Sequence, residues 1–179
     1  PLSNLDAKLR DEMRVELKSI TEALGITAFF VTHDQVEALA MSDRIGVIMN
    51  GELVEIGAPH EVYTNSPSRL VAGFLGVVNV LEGRVSANGP TLAVETPIGT
   101  VHSSRHGTAT GVGASVGVLV RPEALICTRE RPVEGDNVFE ATVAEVSFLG
   151  GFTDAEVVVG PQTLKVRLNP YDAFTPGER

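Results

Sequence analysis

The chain contains 179 residues, of which 43% are hydrophobic and 21% are charged, and its formal net charge at pH 7 is −9. This size and composition predict a globular protein of one or two domains with enough chain for a hydrophobic core. The acidic balance disfavours nucleic acid as a partner, no apolar run is long enough to span a membrane, and the single cysteine excludes an internal disulfide and a cysteine-based metal cluster.

The first predicted element is a helix over residues 7–24, ended by Gly25. Charged residues occupy most of its other faces, as on a solvated surface helix. Residues 3–6, Ser-Asn-Leu-Asp, precede this helix, and taken alone they are typical of a helix cap with an acidic first turn. The apolar residues that recur at helical spacing are Leu9, Met13, Leu17, Ile20 and Leu24.

Residues 26–31 form a short apolar run rich in β-branched and aromatic side chains. Its length and uniformity predict a strand buried on both faces. The run ends at Thr32-His33-Asp34, where Asp34 or Thr32 is placed to cap a helix whose apolar stripe begins at Val36. Ligands of open α/β sheets bind at the carboxyl ends of strands. His33 is therefore a candidate donor to an anion, with a structural histidine as the alternative.

A hairpin is predicted after that helix. The apolar runs 45–49 and 52–56 flank Asn50-Gly51. Asn-Gly between apolar runs is a strong hairpin signal, because both residues tolerate positive φ.

Two short helices are predicted next. The first starts at Pro59, a residue suited to the first turn of a helix. The second covers residues 69–75 and ends at Gly76, after which we place a domain boundary. The residues of this second helix that we expect toward the core are Leu70, Val71, Phe74 and Leu75.

From Val77 onward, short valine-rich runs alternate with Gly, Pro and Asn, which predicts a small all-β barrel or sandwich. The alternation changes phase near Ala144-Glu145, which predicts a β-bulge. Residues 104–114 are rich in Gly, Ser and Thr and are predicted to form a loop. The candidate strands are 77–86, 91–96, 99–103, 115–121, 123–128, 138–149, 153–160 and 163–168.

Several residues outside these patterns are candidate site residues. His102 and His106 have the spacing of two ligands on one helix face, but they lie at a predicted strand end and loop, so we expect no metal site. Arg121 and Glu123 are expected to form an exposed salt bridge, and Cys127 to be a packing residue rather than a reactive thiol. Three carboxylates that could suggest acid–base chemistry are expected to be exposed strand positions; they are Glu145, Asp154 and Glu156.

The first half of the chain closely resembles the switch-histidine segment of ABC transporter ATPase subunits, in the subgroup that imports sugars, polyamines, iron, sulfate and similar solutes. The family order is a strand, Thr-His-Asp, a helix with Glu-Ala, then Asp-Arg, an apolar strand, Gly, a second apolar strand and Gly. The matching positions are Thr32-His33-Asp34, Glu37-Ala38, Asp43-Arg44, 45–49, Gly51 and Gly57, followed by 59–63, Pro67, 71–76 and Asn79.

The resemblance implies roles for three residues. His33 would be the catalytic residue that contacts the γ-phosphate of ATP and senses hydrolysis. Residues 3–6 look like the family's D-loop, Ser-x-Leu-Asp, which reaches across the ATPase dimer. Ser3 and Asp6 would therefore contribute to the nucleotide sites at that interface.

Other ATPase motifs of the family are not found in this sequence. The family places Asp-Glu-Pro before the D-loop, for Mg²⁺ binding and for activation of water, and this sequence begins at the Pro. It contains neither a Gly-x-x-x-x-Gly-Lys-Ser/Thr loop nor a Leu-Ser-Gly-Gly-Gln signature. We expect the intact protein to use ATP and Mg²⁺, and this chain alone neither to bind ATP tightly nor to hydrolyse it.

The second half resembles the TOBE domain of the same importers, an OB-like barrel, through residues 118–123 and 146–150. The predicted fold class is thus an α/β fragment of a P-loop ATPase core, with parallel strands plus helices, over residues 1–76. An all-β OB-like TOBE barrel is predicted over residues 77–179. The family usually has at least one further strand, so the resemblance implies that a last strand is missing.

Together these resemblances imply the C-terminal part of the ATP-hydrolysing subunit of a solute importer, cytoplasmic and peripheral on the inner face of the cell membrane. Its partners would be a second copy of itself and membrane permease subunits, not nucleic acid. The alternative is a non-enzymatic ligand-binding, dimerisation or regulatory β-module, which oxyanion binding by residues 77–179 would favour. The solute is not specified, because selectivity in such importers resides mainly in other subunits.

Overall fold

The computed structural model describes residues 7–104, 111–132 and 135–179, without the side chains of residues 7, 8, 10 and 11. The chain divides into two compact units, Pro1–Ser66 and Pro67–Arg179. The first unit contains α1 (Ala7–Leu24), α2 (Gln35–Met41), β1 (Ile45–Met49), β2 (Glu52–Gly57) and α3 (Pro59–Asn65). The second contains α4 (Arg69–Phe74), β3 (Asn79–Asn88), β4 (Leu92–Thr96), β5 (Gly99–Ser103), β6 (Ser115–Val120), a 3-10 helix (Pro122–Ala124), β7 (Thr142–Phe148), β8 (Thr153–Val159) and β9 (Gln162–Leu168).

Helix α1 has the bounds that its apolar spacing predicts. Gly25 ends it in the left-handed conformation, with φ of +60°. The Gly25 N–H donates to the Glu22 carbonyl at 3.1 Å and the Ile26 N–H donates to the Thr21 carbonyl at 3.3 Å, which is the Schellman pattern of a glycine-terminated helix. In the described part of the chain, no helix is both long and apolar enough to cross a membrane.

The buried strand predicted for residues 26–31 is wrong. This segment has no regular secondary structure, and Phe29 and Val31 are 90% and 89% exposed. A strand needs neighbours that pair with its backbone groups. In the described part of the first unit, the strands are β1 and β2, and they pair with each other. Neither of them pairs with residues 26–31. Every strand pairing described is antiparallel, so the parallel strands expected in this half are not found among them.

The hairpin predicted at Asn50-Gly51 is confirmed. Strands β1 and β2 pair antiparallel, with Met49 opposite Glu52. Asn50 and Gly51 both have positive φ, 52° and 83°, which is the signature of a type I′ turn.

The second unit is built on two antiparallel sheets, as its β-rich pattern predicts. One sheet has the strand order β5-β4-β3-β6 and the other β7-β8-β9. A shared core contains Leu81 and Val101 from the first sheet and Val143, Val157 and Val166 from the second. A smaller cluster of Val85, Leu92 and Val94 lies within the first sheet.

Two local features of the second sheet follow the sequence closely. The register of β7 against β8 shifts between Val143 and Glu145, which confirms the predicted bulge. In β9, Leu164, Val166 and Leu168 are all buried. Alternation with a period of two therefore places one face of this strand in the core.

Three expectations for the second unit are wrong in detail. Residues 123–128 do not form a strand, because Pro122 starts a 3-10 helix in which the Ala124 N–H donates to the Arg121 carbonyl at 3.0 Å. Strand β7 begins at Thr142 rather than at residue 138. On α4, Leu70 and Phe74 are 70% and 45% exposed, so this short helix buries a narrower stripe than expected.

The division between the compact units falls before α4, whereas the sequence pattern predicts a domain boundary after Gly76. Arg121 donates to the Ala72 carbonyl at 2.8 Å and to the Val77 carbonyl at 3.2 Å. This contact holds the end of α4 within the β-rich unit. The division into compact units does not test the identity of the domains. The assignment of residues 1–76 to an ATPase core and of residues 77–179 to a TOBE-like barrel therefore stays a prediction.

A buried asparagine joins the two sheets of the second unit. Asn79 on β3 is 7% exposed. Its Nδ2 donates to the Lys165 carbonyl at 2.7 Å, and its Oδ1 accepts from the Lys165 N–H at 2.8 Å. The side-chain amide thus pairs with the backbone of β9 as a peptide group of a neighbouring strand would.

We predict that Asn79→Asp destabilises the second unit by about 2–3 kcal/mol, because a carboxylate cannot donate to the Lys165 carbonyl and would be buried against it. Urea unfolding measures this, with alkylation of Cys127 as the probe. Cys127 is the single cysteine of the chain and lies half-buried in this unit.

Asn137→Asp is the matched control. Asn137 makes the same pair of bonds with His102, accepting from its N–H at 2.7 Å and donating to its carbonyl at 2.9 Å, but it is exposed. Water can hydrate the new carboxylate there, so we expect a loss below about 1 kcal/mol. Equal losses at both positions would contradict the role assigned to Asn79.

Candidate functional site

His33 lies in a short turn between the irregular segment 26–31 and α2. Its side chain is exposed, whereas those of Thr32 and Asp34 on either side are partly buried. The position predicted from the sequence, at the start of a helix, is confirmed by the start of α2 at Gln35. An exposed imidazole between two anchored neighbours can donate to, or accept from, a group outside the unit.

Asp34 caps α2, and it is one of the two cap residues that the sequence predicts. Its Oδ1 accepts from the backbone N–H groups of Val36 at 2.9 Å and Glu37 at 3.2 Å. These are N–H groups of the first turn that have no partner within the helix. The carboxylate therefore fixes the backbone immediately after His33.

Thr32 fixes the backbone immediately before His33. Its Oγ1 accepts from the Asp34 N–H at 2.9 Å and donates to Glu37 Oε2 at 2.7 Å. The hydroxyl group thus closes a small ring across the turn. Both neighbours of His33 are held by α2, and the imidazole itself projects outward.

Arg14 ties this turn to α1. Arg14 is 8% exposed, and its Nη2 donates to Asp34 Oδ2 at 3.0 Å and lies 3.9 Å from Glu37 Oε1. Asp34 therefore binds the amides of α2 with one oxygen and the guanidinium of α1 with the other. Sequence reasoning missed this contact, because Arg14 looks like any charged residue on a surface helix.

The other predicted site residues are not brought to His33. Ser3 and Asp6 lie outside the described residues, and their assignment stays a prediction. His102 pairs with Asn137 through its backbone, and His106 lies outside the described residues. Over 7–104, 111–132 and 135–179, no group of three or more His, Cys, Asp and Glu side chains is placed to hold a metal ion.

The candidate carboxylates of the second unit line a shallow groove together with basic residues. Asp154 accepts from Arg167 at 2.9 and 3.3 Å, and the Arg167 guanidinium lies over the Phe152 ring, 3.8 Å from its centroid. Glu145 and Glu156 line the same groove with Lys165. The groove therefore mixes both signs of charge, and its best-defined contact is an internal ion pair.

The last third of the chain matches a known domain family. Residues 118–179 match the TOBE domain family. The match begins within β6 and takes in β7, β8 and β9, so it covers the whole of the second sheet. The resemblance to a TOBE domain, stated from residues 118–123 and 146–150, is confirmed.

Relatives cover nearly the whole chain. The sulfoquinovosyl glycerol transport ATP-binding protein SmoE of Agrobacterium fabrum is 38% identical over 99% of this chain and 49% of its own length. The spermidine/putrescine import ATP-binding protein PotA of Rubrobacter xylanophilus is 42% identical over 86% of this chain and 40% of its own length. The putrescine transport ATP-binding protein PotG of Escherichia coli is 37% identical over 84% and 40%.

The chain spans about half the length, or less, of the curated relatives it matches. Those relatives are named as ATP-binding proteins of transport systems, and the similarity to SmoE extends over 99% of this chain. The chain is a relative of the ATP-binding subunits of ABC importers and carries a TOBE domain. The recognition made from the Thr32-His33-Asp34 segment is thereby confirmed.

We predict that Cys127 alkylates slowly in the folded chain. Burial, and to a lesser extent the carboxylate of Asp172, raise the pKa of the Cys127 thiol. Only the thiolate is nucleophilic, so a raised pKa lowers the reactive fraction near neutral pH. Iodoacetamide labelling of the folded chain should be about tenfold slower at pH 7.5 than labelling of the same chain in concentrated urea.

Asp172→Asn separates the two causes. It removes the carboxylate but leaves Cys127 as buried as before, so the labelling rate should rise only slightly. A rate in the folded wild type equal to that in urea would show that Cys127 is a reactive thiol, against the expectation from the sequence.

Proposed function

We propose that this chain is the C-terminal part of the ATP-binding and ATP-hydrolysing subunit of an ABC solute importer, which couples ATP hydrolysis to transport. The observation that carries the proposal is the His33 turn. Its imidazole is exposed, while both flanking residues are bonded to α2 and one of them to α1. A donor held in this way is suited to contact a phosphate that arrives from outside the unit.

In this proposal the intact protein binds ATP and Mg²⁺. His33 contacts the γ-phosphate, and Ser3 and Asp6 act at the interface between two copies. The Gly-x-x-x-x-Gly-Lys-Ser/Thr motif that cradles phosphates is not in this sequence. The 179-residue chain alone should therefore not turn over ATP.

The proposed partners are a second copy of the protein and the permease subunits of an importer, at the inner face of the cell membrane. Residues 77–179 would regulate or stabilise the dimer. The three named relatives differ in solute, since sulfoquinovosyl glycerol, spermidine/putrescine and putrescine occur in their names. The proposal therefore names the class of transporter and no solute.

We predict that His33→Ala in the full-length protein that carries this chain lowers ATP hydrolysis about a hundredfold. A positioned donor to a transferring phosphoryl group is worth about 2–4 kcal/mol in the transition state. Nucleotide affinity should stay near that of the wild type, because His33 is one contact among many to the nucleotide. Steady-state hydrolysis and equilibrium binding of a labelled nucleotide measure the two effects separately.

His60→Ala is the matched control. His60 is exposed on α3 of the same unit, and its role in the structure is through its backbone carbonyl, which accepts from Thr64 Oγ1 at 2.8 Å. Hydrolysis in this variant should be unchanged. Normal hydrolysis by His33→Ala would overturn the proposed role of the turn.

We also predict that the 179-residue chain self-associates through the exposed apolar segment of its first unit. Phe29 and Val31 are 90% and 89% exposed, and adjacent apolar side chains in water favour contact with another surface. Light scattering at tens of micromolar should give a mass above the 19.0 kDa of one chain. Phe29→Asp should lower it toward the monomer.

Tyr171→Asp is the control for this prediction, because Tyr171 is 92% exposed but lies in the second unit. It should leave the mass unchanged. A monodisperse wild-type monomer would rule out association through residues 26–31.

A further inference from the structure

Arg14 is nearly buried, whereas Glu12, Glu16 and Glu22 on the same helix are exposed. Its side chain is 9% exposed, against 29% and 16% for the Asp34 and Glu37 side chains that it faces. A guanidinium taken out of water is stable only where acceptors replace the water. Asp34 Oδ2 accepts from Nη2 at 3.0 Å, and Glu37 Oε1 lies 3.9 Å from the same nitrogen, so two negative charges face the buried cation.

The two oxygens of Asp34 have separate partners. Oδ1 accepts from the first amides of α2, and Oδ2 accepts from Arg14. A carboxylate bonded on both oxygens is fixed in rotation as well as in position. Because His33 directly precedes Asp34, the contact with Arg14 sets the orientation of the backbone from which the imidazole projects.

Thr32 carries the same constraint to the other side of His33. Glu37 accepts from the Thr32 hydroxyl through Oε2, and its Oε1 faces Arg14. Thr32 in turn accepts from the Asp34 N–H. The ring of Arg14, Asp34, Thr32 and Glu37 therefore encloses the turn, and Arg14 supplies its positive charge.

We propose that Arg14 is a positioning residue for His33, which holds the histidine turn against α1 so that the imidazole meets phosphate in a fixed direction. Without Arg14, the carboxylates of Asp34 and Glu37 would repel each other, and Asp34 could rotate while still capping α2. The helix would remain and the turn would loosen. The inference rests on the proposed function of His33 for its effect on catalysis, but not for its effect on the turn.

The first test uses the 179-residue chain and no nucleotide. Arg14→Gln keeps much of the side-chain length and removes the charge. We expect the ring resonances of His33 to shift and broaden in the NMR spectrum of this variant and the Asp34 amide to exchange faster, while the His60 resonances stay in place. The control is Lys18→Gln, one turn further along α1, which should leave the His33 and His60 resonances as in the wild type.

The second test measures hydrolysis in the full-length protein. Arg14→Gln should lower kcat at least about tenfold with nucleotide affinity preserved, because misplacing a catalytic group by about 1 Å is already worth a large factor in rate. The decisive variant combines Arg14→Gln with His33→Ala. If Arg14 acts through His33, the double variant is no slower than His33→Ala alone.

The outcomes separate the two hypotheses. Normal kcat in His33→Ala would refute the proposed function, and the NMR comparison would still decide whether Arg14 positions the turn. Unchanged His33 resonances in Arg14→Gln, or losses that multiply in the double variant, would overturn the positioning role. Where Arg14→Gln fails to fold, Arg14→Lys replaces it, because lysine keeps the charge but not the guanidinium that donates to Asp34.

Discussion

The carboxylate of Asp34 is the contact on which the first unit's candidate site depends. One of its oxygens binds the amides at the start of α2, and the other binds the buried guanidinium of Arg14 on α1. The first contact is local and follows from the sequence, since an Asp before an amphipathic run is a preferred cap. The second joins residues twenty positions apart. Together these two contacts hold the backbone between α1 and α2 in place at the exposed side chain of His33.

In the second unit, a neutral side chain also joins two elements through hydrogen bonds at both of its polar atoms. Asn79 is nearly buried, and both ends of its side-chain amide are bonded to the backbone of Lys165. A buried polar group that is fully bonded adds specificity as well as stability, because any other arrangement of the sheets would leave it without partners. In each unit, therefore, one polar side chain of fixed geometry links elements that hydrophobic packing alone would allow to slide.

The sequence predicts those features that are determined locally. The bounds of α1 follow from its apolar spacing and Gly25, the β1–β2 turn from Asn50-Gly51, and the bulge of β7 from the phase change near Ala144. The position of His33 before a capped helix was predicted for the same reason. These features depend on backbone preferences and on alternation within a few residues.

The features that the sequence did not predict depend on distant partners. Arg14 cannot be distinguished from a solvated charge without knowing that α2 packs beside α1. The bonds from Arg121 to the carbonyls of Ala72 and Val77 join residues more than forty positions apart, and no local pattern indicates them. The apolar residues Leu70 and Phe74 were assigned to the core because of their type, but a helix of six residues buries only one narrow stripe.

Residues 26–31 bring these two kinds of information together. Their composition is that of a buried strand, but their backbone has no strand partner among the described residues, and Phe29 and Val31 are almost fully exposed. An apolar run predicts that a segment is buried, but it does not identify the surface that buries it. The segment leads directly into Thr32 and His33. Any surface that covers residues 26–31 would therefore act on the same backbone that Arg14 holds from α1, and assembly of the protein and orientation of its histidine would be mechanically linked through one short turn.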